Sequence, residues 1–189
     1  MRNDVMTRIA LIITPIIVLL GFLSILLLAC NKATLSLNGF GVDATGQVYV
    51  GRLYKIEVYQ HGQKISELEI PHYRNWSFCI QPDSSVLLTD GSTIYTLKED
   101  GSAQEQQKDT DGRLYRRLRQ QKMIIGNDGN AYTIESPFLR TAIVNEEKEI
   151  LYQVPLVDMF VKIAFGFAVI GILCVVPFLK ESVIQGRPT

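Results

Sequence analysis

The densest run of side chains able to do chemistry is "RLYRRLRQQK", Arg113 to Lys122, which places Arg113, Arg116, Arg117 and Arg119 within one short stretch. Such a cluster has two readings. It is a docking surface for anionic lipid headgroups or an acidic partner, or it is the solvated face of a linker. A second group lies in "PHYRNWSF", where Tyr73 and Trp76 stand close to Phe78. These aromatics form either an exposed anchor for a partner or packing between two neighbouring units. Asn75-Trp76-Ser77 is also a glycosylation sequon, informative only in a eukaryotic secretory pathway. Tyr73, Trp76, Arg113, Arg116, Arg117 and Arg119 together make the candidate partner surface.

Other chemistries lack their residues. His61 in "YQHGQK" and His72 in "IPHYRNW" have no carboxylate or cysteine at metal-ligand spacing. Cys79 sits between Phe78 and Ile80 without a cysteine partner in the middle of the chain, so it reads as a small buried hydrophobe. No Gly-x-Ser-x-Gly, phosphate-binding loop or Gly-x-Gly-x-x-Gly is present. Adjacent acids such as Glu146-Glu147 suit a solvated hairpin better than acid–base work. No catalytic, cofactor or metal site is expected, and the chain reads as a non-enzyme.

The elements around these residues follow from the charge pattern. With 19 basic and 19 acidic side chains the formal net charge is zero, so no global field points to nucleic acid. Ile9 to Cys30 contains no charged residue, and neither does Ile163 to Leu179. A spanning helix needs about 20 apolar residues to cross ~30 Å of hydrocarbon. The first run reaches that length. The second does so with Met159, Phe160 and Val161 included and Lys162 snorkelling to the interface. The basic residues Arg2, Arg8, Lys180 and Arg187 flank the two runs and place both tails in the cytoplasm. The expected order is a tail over 1–8, a transmembrane helix over 9–30, an extracytoplasmic domain over 31–157, a second transmembrane helix over 158–179 and a tail over 180–189. Ala164 and Ala168 give the second helix a small-xxx-small face.

"LLAC" before Asn31 also resembles a lipoprotein cleavage site at Cys30. The apolar run behind it exceeds the ~7–15 residues of a signal-peptide core, and a second span makes a lipid anchor unnecessary. Cys30 therefore reads as the outer end of an uncut helix.

The middle of the chain repeats. Three stretches, beginning at Val42, Ile80 and Ile125, each run from an apolar residue through a polar turn into a short strand. Those strands are Val48-Tyr49-Val50, Val86-Leu87-Leu88 and Ala131-Tyr132-Thr133. A second strand follows at Ile56-Glu57-Val58, Ile94-Tyr95-Thr96-Leu97 and Ala142-Ile143-Val144. A last strand is legible in units one and three, as "ISELEI" and "EILYQV". Thr45-Gly46, Asp128-Gly129 and Asp100-Gly101 supply the turn residues tight hairpins require, and Tyr, Val and Ile suit a half-buried pleated surface. Each unit is an antiparallel meander of about four strands, an all-β propeller-like blade.

"GVDATGQVYVGRLYKIEVYQHGQKI" resembles an NHL-type β-propeller repeat: apolar-Asp-x-x-Gly-x-apolar-Tyr-Val, then Ile-x-Val-apolar, then a glycine turn. The resemblance extends over residues 37 to 155 and is weaker in unit two, where Ser84 replaces the glycine. It implies a binding surface. Three blades are fewer than the four or more of closed propellers, so the resemblance implies either an open partial propeller or a ring closed by two chains. Exposed strand edges invite another chain. The expected function is thus a membrane-anchored, non-enzymatic binding or scaffold protein that self-associates or holds an envelope partner. The alternative is an accessory subunit of a membrane transport or cell-envelope enzyme complex, held by its helices.

Overall fold

Three turns of one geometry start the three sheets. In the first, Asp43 N donates to Gln47 O and Gly46 N to Asp43 O; in the second, Gln81 N donates to Ser85 O and Ser84 N to Gln81 O. In the third, Gly126 N donates to Asn130 O and Gly129 N to Gly126 O. A side chain locks each turn: Asp43 Oδ1 accepts from Thr45 N, Asp83 Oδ1 from Ser85 N and Asp128 Oδ1 from Asn130 N. The fourth residue of each turn is left-handed, with φ of 78° at Gly46, 65° at Ser84 and 86° at Gly129. The computed structural model that carries these turns describes residues 2–30, 32–70, 75–97, 103–109, 111–136 and 140–185, with 2–11, 103, 105, 106 and 172–185 described at the backbone only.

From these turns the chain builds three four-stranded antiparallel meanders, each in sequence order. Sheet one is β1 (Gly39–Val42), β2 (Val48–Arg52), β3 (Lys55–Gln60) and β4 (Gln63–Glu69). Sheet two is β5 (Ser77–Ile80), β6 (Val86–Thr89), β7 (Thr93–Leu97) and β8 (Ala103–Lys108). Sheet three is β9 (Met123–Ile125), β10 (Ala131–Glu135), β11 (Ala142–Asn145) and β12 (Ile150–Gln153). The all-β meander architecture expected from the repeats is thus present. Its β8, "AQEQQK", carries no apolar alternation, and it pairs antiparallel with β7 from Thr93↔Lys108 to Leu97↔Ala103. The expected Asp100-Gly101 turn lies outside the described residues.

Sheet one sits in the middle. Phe40, Val42, Val48 and Val50 pack with Tyr132, Ile143, Tyr152 and Val154 of the third unit. Ile56 and Ile70 pack with Trp76, Phe78, Val86, Leu88 and Leu97 of the second. The first strands β1, β5 and β9 converge, with Asn127 N donating to Val42 O and Asn127 Nδ2 to Gln81 O. Helix α2 (Arg113–Gln120), which the sequence did not announce, connects sheets two and three.

The chain divides into this β unit, Ser36–Pro155, and a helical unit from the two ends. The latter holds α1 (Arg2–Ala29) and α3 (Leu156–Gln185). The two helices pack antiparallel through a seam rich in small side chains. Gly21 meets Ala168, Gly171 meets Ile17, and Thr34 N donates to the buried Asp158 Oδ1 at 3.0 Å. Ser24, Val161 and Ala164 are buried in the same unit. The Ala164/Ala168 face is therefore occupied within the chain. Outside, large apolar side chains are exposed on both helices: Ile12, Val18, Leu19 and Phe22 on α1, Phe160, Phe167 and Ile170 on α3. Among the described residues one stretch, Ile12–Ala29 of α1, is long and apolar enough to cross a membrane; length and composition suit a span and a signal sequence equally.

Candidate functional site

The arginine cluster is built by pinning α2 at three points. At its start, Asp109 Oδ2 accepts from Tyr115 N at 3.3 Å and from Thr89 Oγ1 at 3.3 Å. A carboxylate at a helix N-terminus also meets the positive end of the backbone dipole. Asp109 N donates to Ser92 O, so the β6–β7 hairpin sets where the helix begins. In its middle, Leu118 is buried and lines a cavity of about 100 Å³ together with Phe40, Val42, Cys79, Ile124 and Asn127. At its end, Arg119 Nη1 donates to Asn38 Oδ1 at 3.2 Å. Asn38 is itself buried, giving Nδ2 to Arg52 O and accepting from Ser77 Oγ at its carbonyl.

At 100° per residue, Arg113, Arg116 and Arg117 fall within about 100° of one another, opposite Leu118. All three are exposed. Arg113 pairs with Asp111 at 3.1 Å, both well solvated, a contact of little energetic weight. Arg116 donates to Asp111 O. Arg119 turns away from this face and lies 6.0 Å over the Tyr115 ring, within cation–π range. The structure thus brings three of the four expected arginines into one outward face and uses the fourth to hold the helix.

Trp76 requires a correction. It is fully buried, its Nε1 donates to Leu53 O at 3.0 Å, and its ring centroid lies 6.0 Å from that of Phe78. It is core between the first two units, because a large aromatic with one donor is best satisfied where a carbonyl reaches it. It is no surface anchor. Tyr73 and His72 lie outside the described residues. His61 is exposed on the β3–β4 turn. Cys79 is half-buried, and burial pushes its thiol up despite the opposing charge of Arg117.

A second polar cluster was not foreseen. Arg52 and Glu57, both buried, lie 3.8 Å apart at the seam of sheets one and three. Lys55 and Lys64 reach Glu57 at 3.0 and 3.5 Å and both also pair with Glu67. Tyr59 donates to Glu57 at 2.9 Å and stacks edge-on with Tyr152, whose hydroxyl accepts from Arg52. Burial pushes the Glu57 carboxyl up, but the bonds from Lys55 and Tyr59 and the charges of Arg52 and Lys55 hold it below its ordinary value. Each group has its partner, so the cluster closes the seam. The signal for it was an acid facing inward between Ile56 and Val58. Among the described residues no group of His, Cys, Asp and Glu is placed to hold a metal.

No protein-family model matches the chain, and no curated relative matches it. Among solved structures it is similar to a catalytically inactive virginiamycin B lyase from Staphylococcus aureus with quinupristin, at TM-score 0.35 and 18% identity. It is also similar to a streptogramin B lyase, at TM-score 0.34 and 17% identity. In both cases 60% of this chain is covered, and the chain spans 39% of the length of the other. These neighbours are enzymes by name, so the expectation of a non-enzyme is withdrawn. At this level of likeness no activity carries over to this chain.

Proposed function

We propose that the chain is a membrane-anchored binding protein, with α1 and α3 forming a two-helix anchor and the β unit presenting the arginine face of α2 to a partner. The observation that carries this reading is the inverted polarity of the helix pair. Its seam holds Ser24, Asp158, Gly21, Ala164, Ala168 and Gly171 beside Ile17 and Val161, while its outer surface is isoleucine, leucine, valine and phenylalanine. In water such a pair would turn its apolar faces inward. In lipid there is no hydrophobic drive between helices, so small residues pack at the seam and polar groups turn away from the acyl chains. Because the helices run antiparallel, two crossings bring both chain ends to one side and the inserted β unit to the other. The basic flanks assign the ends to the cytoplasm.

The test is extraction. With a protease site inserted after Asn31, cutting separates α1 from residues 32–189. If α3 spans the membrane, the larger fragment stays in the membrane pellet after an alkaline carbonate wash. Its release into the supernatant would sink the two-helix anchor.

A further inference from the structure

We infer that the occupant of the α2 arginine face is an acidic, carboxylate-rich segment of a protein partner. The inference rests on the partner-binding reading above and gives it a chemistry. Between Lys108 and Lys122 the chain places six cations against two carboxylates, although its formal net charge is zero. One of those carboxylates, Asp109, is turned inward to fix the helix. The other, Asp111, is engaged by Arg113. A helix meant only to be solvated sets acids at i+3 or i+4 from its bases. Here those positions relative to Arg113 are Arg116 and Arg117, a like-charge arrangement that disfavours the isolated helix. It is held in place by Leu118, Asp109 and Asn38. The cations on the helix are all arginine, whose planar fork matches carboxylate geometry in a way an ammonium does not.

Two observations favour a protein segment over a lipid surface. Helices that lie on membranes insert apolar side chains beside their basic ones, whereas Leu118 is buried, Leu114 and Tyr115 are half-buried, and Tyr115 lies beside Gly91 of the β6–β7 turn. The negative surface potential that attracts basic segments also belongs to the cytoplasmic leaflet, on the side opposite the β unit in the topology proposed above.

The experiment uses the full chain in detergent micelles of neutral headgroup, titrated into a fluorescent 20-residue poly-glutamate peptide and read by anisotropy. Binding is expected, weakening at least tenfold from 50 to 500 mM salt, because exposed charge pairs are screened. Arg116→Gln with Arg117→Gln is expected to weaken it at least tenfold with the unfolding midpoint unchanged. Gln120→Arg, which adds a guanidinium to the same face, is expected to tighten it. Equal binding by the parent and both variants would overturn the inference. So would binding to phosphatidylglycerol vesicles in place of the peptide. Either failure leaves the membrane-extraction result untouched, so the anchor and the partner chemistry fail separately.

Discussion

Gly171 of α3 lies so close to Ile17 of α1 that a β-carbon added at Gly171 would stand 2.7 Å from Ile17 Cδ1. The helix seam is therefore filled at that level. Gly171→Leu is expected to destabilise the helix pair by about 1–3 kcal/mol, the usual cost of overpacking. Combining it with Ile17→Ala should recover part of that loss. Gly166, whose β-carbon would meet nothing within 4 Å, is the control, and Gly166→Leu should not disturb the seam. Thermal unfolding in detergent reads all four chains. Equal loss from both glycine substitutions would mean the seam is not where the helices touch.

Ser84 occupies the left-handed position that Gly46 and Gly129 hold in the other two turns. A residue with a β-carbon there costs ~1 kcal/mol or more. Ser84→Gly is expected to raise the stability of the β unit by about 0.5 kcal/mol once the greater freedom of glycine in the unfolded chain is subtracted. Gly46→Ala and Gly129→Ala should each lower it by about 1 kcal/mol. Nothing lies within 4 Å of a β-carbon at either site, so the penalty is conformational alone. Denaturant midpoints distinguish the three.

Glu57 has the opposite character, a charge held by its neighbours. Replacing it with glutamine leaves Arg52 buried without its counter-charge and is expected to cost about 3 kcal/mol at pH 7. A carboxyl whose folded value lies below its unfolded one binds fewer protons when folded. The stability it contributes is complete above the unfolded value, about 4.5, and is lost as pH falls through the folded value. Unfolding midpoints measured from pH 7 to pH 3 should therefore fall less steeply in Glu57→Gln than in the parent. Parallel curves would show that Glu57 is not held low.

Trp76 is the single tryptophan of the chain, and its burial makes it a probe. Its emission should be blue-shifted and resist quenching by acrylamide, and it should stay constant when an acidic peptide is added. Trp76→Ala should cost about 3–5 kcal/mol. A red-shifted, readily quenched emission would return Trp76 to the surface.

The strands of this fold were legible where local chemistry and tertiary demand agree. Val48, Val86 and Ala131 each follow a polar turn, and the strand starts fall at those residues. What stayed illegible depends on partners distant in sequence. β8 is polar from Gln104 to Lys108 and becomes a strand because β7 offers a paired edge. α2 is short for a helix in isolation, and it is held by the burial of Leu118 and by Asn38, far upstream, which accepts from Arg119. The burial of Trp76 turned on the carbonyl of Leu53, which no local pattern reveals. The small faces of α3 were readable in Ala164 and Ala168, but not that α1 of the same chain would fill them.

A β unit held on one side of a membrane by two crossings, as proposed, sets the sidedness of two positions that cysteine labelling reads. In intact cells, a chain keeping Cys30 and lacking Cys79 and Cys174 should react with a membrane-impermeant maleimide. A chain whose one cysteine replaces Ser182 should react only after permeabilisation. Labelling of both positions from the same side, or a Cys30 blocked by a lipid in the mature chain, would contradict the two-helix anchor.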